Sequence, residues 1–155
     1  MSHSAPPRRR ILLLLLLAAL PACTRPLPPP PDGMPPPPQP PPPALVTSLH
    51  VETAADTVVL ALRVTNPHQA PVQVAFLSGQ TYDFAVLGGG REIWRWSADR
   101  GFTQAVQTLT LEPGGTWSFG ERWVRPPGIR GELTAVGRLT SSTHAVERTA
   151  VFRVP

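Results

Sequence analysis

From Ala44 to Pro155 the chain alternates hydrophobic and polar residues with a period of two, the spacing at which a strand turns successive side chains to opposite faces. Thr57 to Asn66 reads Thr-Val-Val-Leu-Ala-Leu-Arg-Val-Thr-Asn, which puts Val58, Leu60, Leu62 and Val64 on one face and ends at the turn signal Asn66-Pro67. Leu45 to Glu52 alternates more loosely. Val72, Val74 and Phe76 share a face before Gly79 breaks the run, and Tyr82, Phe84 and Val86 form the next. Gly88-Gly89-Gly90 closes a hairpin onto Ile93 to Trp96. Gln107 to Leu111 leads to Pro113-Gly114-Gly115, after which Trp117, Phe119, Glu121 and Trp123 lie on one side of a strand. Arg125-Pro-Pro-Gly128 turns the chain, and Leu133 to Leu139 and Val146 to Val154 complete the set. Only Ala98 to Ala105 suggests a short helical turn. Seven to nine short strands with frequent turn signals predict an all-β fold, an antiparallel β-sandwich of immunoglobulin-like shape. A closed barrel has the same periodicity and is the alternative.

Upstream the pattern changes twice. Arg8, Arg9 and Arg10 precede an apolar run from Ile11 to Leu20, the layout of an export signal. That run is too short to cross a bilayer comfortably, since a spanning helix needs ~20 apolar residues. The single cysteine, Cys23, follows Leu20-Pro21-Ala22, a spacing that resembles a bacterial lipobox, with proline at the middle position as a departure. The alternative is an ordinary secretory signal cut after Ala22. Lipidation would anchor the protein stably on a membrane only with more than one acyl chain. Thr24 to Pro43 then holds 13 prolines in 20 residues, which favours extended polyproline II and a semi-rigid spacer. Such a run is also the kind that proline-binding domains take, but no specific flanking pattern marks it as one. The expected organisation is a signal peptide over 1–22, a proline-rich spacer over 23–43 and a folded domain over 44–155.

Charge narrows the function classes. Three of the 14 basic residues fall in the signal, and the 11 arginines from Cys23 onward face 10 acidic residues, so the mature chain is nearly neutral. No clustered basic stripe marks a nucleic-acid footprint. With one cysteine the core must hold without a disulfide.

An inventory of catalytic parts points away from an enzyme. His50, His68 and His144 lack metal-pair spacing, and neither a catalytic cysteine nor a Gly-x-Ser-x-Gly elbow is present. Asp83, Glu92 and Asp99 are placed to approach one another across a hairpin, but a sandwich this small rarely offers a cleft for glycoside chemistry. Gly88 to Gly90 has neither the helix nor the Lys-Ser/Thr of a phosphate loop. No cofactor and no metal are expected.

Six of the ten aromatic residues fall between Phe76 and Phe102, interleaved with Ser78, Gln80, Asp83, Arg95 and Asp99, with Gln104 just beyond. This describes either a half-buried polar network or a recognition surface. Trp94 and Trp96 project on one face and Arg95 on the other. If the indoles are core, their N–H groups need acceptors such as Gln80 or Gln104. Asp83 is placed either to accept from amides of the Ser78-Gly79-Gln80 bend or to pair with Arg95. The loops Ser78 to Tyr82 and Ser97 to Thr103 are the candidate edges for a partner. A sugar-binding platform built on Trp94, Trp96 or Trp117 would need those rings exposed.

The blocks Phe76-Leu-Ser-Gly-Gln-Thr-Tyr-Asp-Phe84-Ala-Val86, Ile93-Trp-Arg-Trp-Ser97, Phe102-Thr-Gln104 and Leu111-Glu-Pro-Gly114 resemble the BsuPI family of bacterial proteinase inhibitors. The resemblance covers nearly all of the expected domain. It implies a β-sandwich that binds a partner, with inhibition of a subtilisin-like serine protease as the family's named activity. Its motif residues here are Ser78, Gly79, Gln80, Tyr82, Asp83, Phe84, Trp94, Arg95, Trp96, Phe102 and Gln104. Behind an export signal, the implied partner is an extracytoplasmic protease or another envelope protein.

Overall fold

The structure, a computed structural model, describes residues 41–155. The predicted signal, Cys23 and the spacer as far as residue 40 lie outside the described residues. Nine strands follow in order: β1 (Val46–Ala54), β2 (Thr57–Thr65), β3 (Val72–Phe76), β4 (Tyr82–Gly88), β5 (Arg91–Arg95), β6 (Gln107–Leu111), β7 (Thr116–Val124), β8 (Gly131–Leu139) and β9 (Val146–Val154). All pairings are antiparallel. One sheet runs β1-β2-β7, a second runs β5-β4-β8-β9, and β3 and β6 form a two-stranded ladder. The sheets stay open at their edges, which selects the sandwich over the closed barrel.

The alternation read from the sequence is the burial pattern observed. Leu60, Leu62 and Val64 of β2 are fully buried, and Trp123 of β7 joins them from the same sheet. They meet Phe84 and Val86 of β4, Leu133, Ala135 and Leu139 of β8 and Val154 of β9 from the opposite sheet. Val72, Val74, Phe76 and Leu111 of the small ladder close one end of this core. Removing each such side chain from water contributes roughly 1.5–3 kcal/mol, which is how the domain holds without a disulfide.

Two turns position the functional region. Gly88 pairs with Arg91, so the β4–β5 loop is two residues long. Gly89 and Gly90 have φ of +55° and +79°, the left-handed pair required by the hairpin turn whose twist matches the strands. The β4–β5 register then shifts between Val86 and Leu87, and the bulge sets Trp94 opposite Val86. The helical turn expected over Ala98 to Ala105 does not form. Instead two tight turns, Ala98 N–H to Arg95 C=O at 3.3 Å and Arg100 N–H to Ser97 C=O at 3.2 Å, end by Arg100. From Gly101 the chain is irregular until β6, because Phe102 leaves the turn to pack on Trp96.

Candidate recognition site

The motif residues assemble where the β4–β5 hairpin leans over β7. Trp96 lies just past β5, and its N–H donates to Phe84 C=O at 2.9 Å, which continues the pairing one residue further. Its ring stacks on Tyr82, with centroids 4.4 Å apart and planes at 25°. Tyr82 in turn stacks on Phe119 of β7 at 4.8 Å. Phe102 covers Trp96 at 5.7 Å, and the Arg100 guanidinium sits 4.5 Å from the Trp96 centroid while its Nε donates to Trp96 C=O at 3.1 Å. Offset aromatic contacts of this kind each contribute about 0.5–1.5 kcal/mol beyond area burial. Trp94 stacks on Trp123 at 6.0 Å. Trp94, Trp96 and Trp117 all pack against the core cluster, so they do not form the exposed platform that sugar binding needs. Beside them, an open concavity of about 320 Å³ is bounded by Trp96, Arg100, Glu121 and Arg122.

The indole acceptors proposed from the sequence are not used. Gln80 donates instead to Tyr82 C=O at 3.2 Å, and Gln104 to Phe102 C=O at 3.4 Å. The Trp96 indole N–H is buried without a protein acceptor among the described residues. Ring stacking fixes the indole orientation, and in that orientation neither amide reaches the nitrogen.

On the other face of the same hairpin, Asp83 is 5% exposed and pairs with Arg95, as one of the two sequence readings has it. Arg95 Nη1 donates to Asp83 Oδ2 at 2.5 Å, and Ser97 donates to the same carboxylate from its Oγ at 3.0 Å and its N–H at 3.3 Å. The other edge of the Arg95 guanidinium holds Glu92, with Nε to Oε1 at 2.9 Å and Nη2 to Oε2. Hydrogen bonding to Arg95 holds Glu92 below the usual carboxylate range, and the Glu92 bond, with Asp83 after it, raises Arg95 against the opposing effect of burial. The expected approach of acids is therefore real for Asp83 and Glu92, but the arginine between them makes it a clamp. Asp99 lines the concavity instead.

The amides of the Ser78-Gly79-Gln80 bend go to other partners. Gly79 N–H donates to Thr103 C=O at 2.9 Å, Gln80 N–H to Ser78 Oγ at 3.2 Å, and Thr140 Oγ1 to Gln80 C=O at 2.7 Å. A Cβ on Gly79 would lie 2.5 Å from Thr103 Oγ1, so a larger residue there has to turn the Thr103 hydroxyl aside where the 78–82 and 97–103 loops meet. The two candidate edges are thus neighbours.

Two contributors escaped the sequence reading. Glu121 accepts from Tyr82 Oη at 2.6 Å. Asn66 is fully buried, and its position continues the inward series Val58, Leu60, Leu62, Val64; the polar residue at the end of that series was the available signal. Burial, reinforced by the bond to Glu121, pushes the Tyr82 phenol up to about 12. Tyr82 is the chain's single tyrosine, so phenolate absorbance reads it directly. The expected titration midpoint lies near 12, and Glu121→Gln moves it down without returning it to 10, because burial is the larger cause. The folded state holds the proton more tightly than the unfolded state, so the linked stability is intact below pH 10 and is lost as pH rises through about 12. A wild-type midpoint at 10 would mean the phenol is solvated and the stack open.

Among the described residues, no group of three or more His, Cys, Asp and Glu is placed to hold a metal ion. No curated protein matches the sequence. Among solved structures, the sporulation control protein Spo0M from Bacillus subtilis is similar at 13% identity and a TM-score of 0.42, over 72% of this chain and 48% of that one. The chain therefore spans about half of Spo0M. A protein from Archaeoglobus fulgidus is similar at 12% identity and a TM-score of 0.37, over 72% of this chain and 98% of that one. The BsuPI family model, described as intracellular proteinase inhibitor, matches residues 45–148, which is the whole run from the start of β1 into β9. With its sandwich, its clamped hairpin and that match, the chain belongs to the BsuPI family of proteinase inhibitors.

Proposed function

We propose that this protein is exported, held on the extracytoplasmic side of a membrane by lipid at Cys23, and inhibits a subtilisin-like serine protease there by occluding it. The observation that carries the inhibitory half is the family match over 45–148. The exported half rests on Arg8 to Leu20 and on the cysteine spacing. The 78–82 and 97–103 loops offer a contact surface held in place by the aromatic stack and by the Gly79–Thr103 bond. Binding a surface fixed in advance avoids the entropy of ordering it on contact.

The full chain in detergent micelles, titrated against subtilisin, slows hydrolysis in proportion to complex formed. Cells fed a fatty-acid probe label the membrane-bound protein, and Cys23→Ala abolishes the label. Unchanged hydrolysis with several serine proteases at micromolar protein would leave a non-inhibitory interaction module of the envelope as the better reading. Label retained in Cys23→Ala would refute the anchor.

A further inference from the structure

Edge strands present unpaired backbone groups, and proteins blunt them with charge, proline, bulges or a covering segment. The other edges here are treated in these ways. β1 carries His50 and Glu52, β5 carries Arg91, Glu92 and Arg95, β7 carries Glu121 and Arg122, and β9 carries Glu147, Arg148 and Arg153. The outer edge of β3 is covered: Ala75 C=O accepts from Ser142 N–H at 2.9 Å, and Ala75 N–H donates to Thr143 Oγ1 at 3.1 Å.

β6 has none of these devices. It pairs with β3 on one side and with no strand on the other among the described residues. Its register with β3 is unbroken from Val72–Leu111 to Phe76–Gln107. From Gly101 to Leu111 there is no charge and no proline, and Val106 is 71% exposed.

The direction of its free groups follows from Ala75. Both backbone groups of Ala75 point away from β6, toward Ser142 and Thr143, so the Ala75–Thr108 pair is a non-hydrogen-bonded pair of the ladder. Thr108 therefore turns its own N–H and C=O outward, and the period of two gives Thr110 the same aspect. Gln107, Leu109 and Leu111 keep the bonds to β3. The segment is also fixed ahead of its strand, by Gly79 N–H on Thr103 C=O at 2.9 Å and by Gln107 Nε2 on Ser78 C=O at 3.0 Å.

We infer that the free edge of β6, from Gln107 to Leu111 with the exposed Val106 just ahead of it, is the strand along which the substrate cleft of the target proteinase pairs with this domain. The inference rests on the inhibitory reading above. A proteinase cleft takes its substrate as an extended chain held by main-chain hydrogen bonds, and an uncharged, pre-extended edge with outward N–H and C=O groups meets that requirement at low desolvation cost. The occupant is the cleft wall, which supplies the missing neighbouring strand.

Thr108→Pro removes one outward N–H while leaving the β3 ladder its bonds, and Val106→Arg places a charge on the edge. In the full chain in detergent micelles, each weakens inhibition of subtilisin by roughly tenfold or more, the size of a lost main-chain bond with its desolvated partner. The melting midpoint stays unchanged, and Val151→Arg, at a 66% exposed site on β9, inhibits as wild type does. With subtilisin blocked at its active-site serine, the amides of Thr108 and Thr110 gain protection from hydrogen exchange. Wild-type inhibition with those amides unprotected, or retained by Val106→Arg, overturns the edge assignment and leaves the inhibitory reading standing. If wild type inhibits nothing, both fall; protection of the same amides that then grows with protein concentration assigns the edge to a second copy of this chain. Should Thr108→Pro lower the melting midpoint, Val106→Arg decides alone, since its side chain is in solvent.

Discussion

Trp96→Ala lowers the stability of the domain by about 3 kcal/mol, measured as a shift in the urea midpoint at unchanged slope. The value sits at the low end for removing a large aromatic because the residue is half-buried. The loss comes from the stack: Tyr82, Phe102 and Arg100 all contact this one ring, and its removal leaves a void that the 97–103 loop fills only partly. Phe102→Ala, at the outer end of the stack, costs less and leaves Tyr82 on Phe119. Gln80→Ala removes a single bond to Tyr82 C=O and stays within about 1 kcal/mol of wild type. A Trp96→Ala protein that melts with wild type but no longer binds its proteinase would show instead that the indole is a contact residue.

Asn66→Ala is expected to cost about 3–5 kcal/mol, more than its small side chain suggests. The Asn66 Nδ2 donates to Ala70 C=O at 2.8 Å, Leu111 C=O at 2.9 Å and Glu112 C=O at 3.2 Å, and its Oδ1 accepts from His68 N–H at 2.9 Å. Ala70 C=O, Glu112 C=O and His68 N–H lose a partner together, and Leu111 C=O is left with its β3 pairing alone, at ~1 kcal/mol or more for each group left unsatisfied. Asn66→Asp keeps the acceptor for His68 but faces a carboxylate with three carbonyl oxygens, so it does not rescue. A loss under 1 kcal/mol in Asn66→Ala, from the same urea titration, would show that the four groups find other partners. The site also joins β2 to the end of β6, so the variant speeds amide exchange at Leu111 before it affects β8.

The strands were legible because each needed only local information. Val58 to Val64 on β2 alternate cleanly, and the Gly89-Gly90 hairpin is fixed by two adjacent residues. The Asp83–Arg95 pair was within reach for the same reason, since one short hairpin brings both together. What was hidden depends on contacts distant in sequence. Glu121 reaches Tyr82 across 39 positions because β7 packs over the β4–β5 hairpin, and no periodicity encodes which strand faces which. The indole acceptors failed for a related reason: Gln80 and Gln104 were near in sequence, but the ring's orientation is set by Tyr82 and Phe102. Asn66 was legible as a turn and not as a plug, although its inward position was countable along β2. The bare edge of β6 is a property of pairing, visible only once β3 and its covering loop are in place.

The Trp94–Trp123 contact has a practical consequence. One ring belongs to β5 and the other to β7, so this stack joins the two large sheets. Two indoles this close and fixed in angle couple their electronic transitions, which gives a circular dichroism couplet that neither ring produces alone. That signal reports the docking of one sheet on the other, apart from strand formation within either. In refolding it separates a chain whose hairpins have formed from one whose layers have closed, without any label attached.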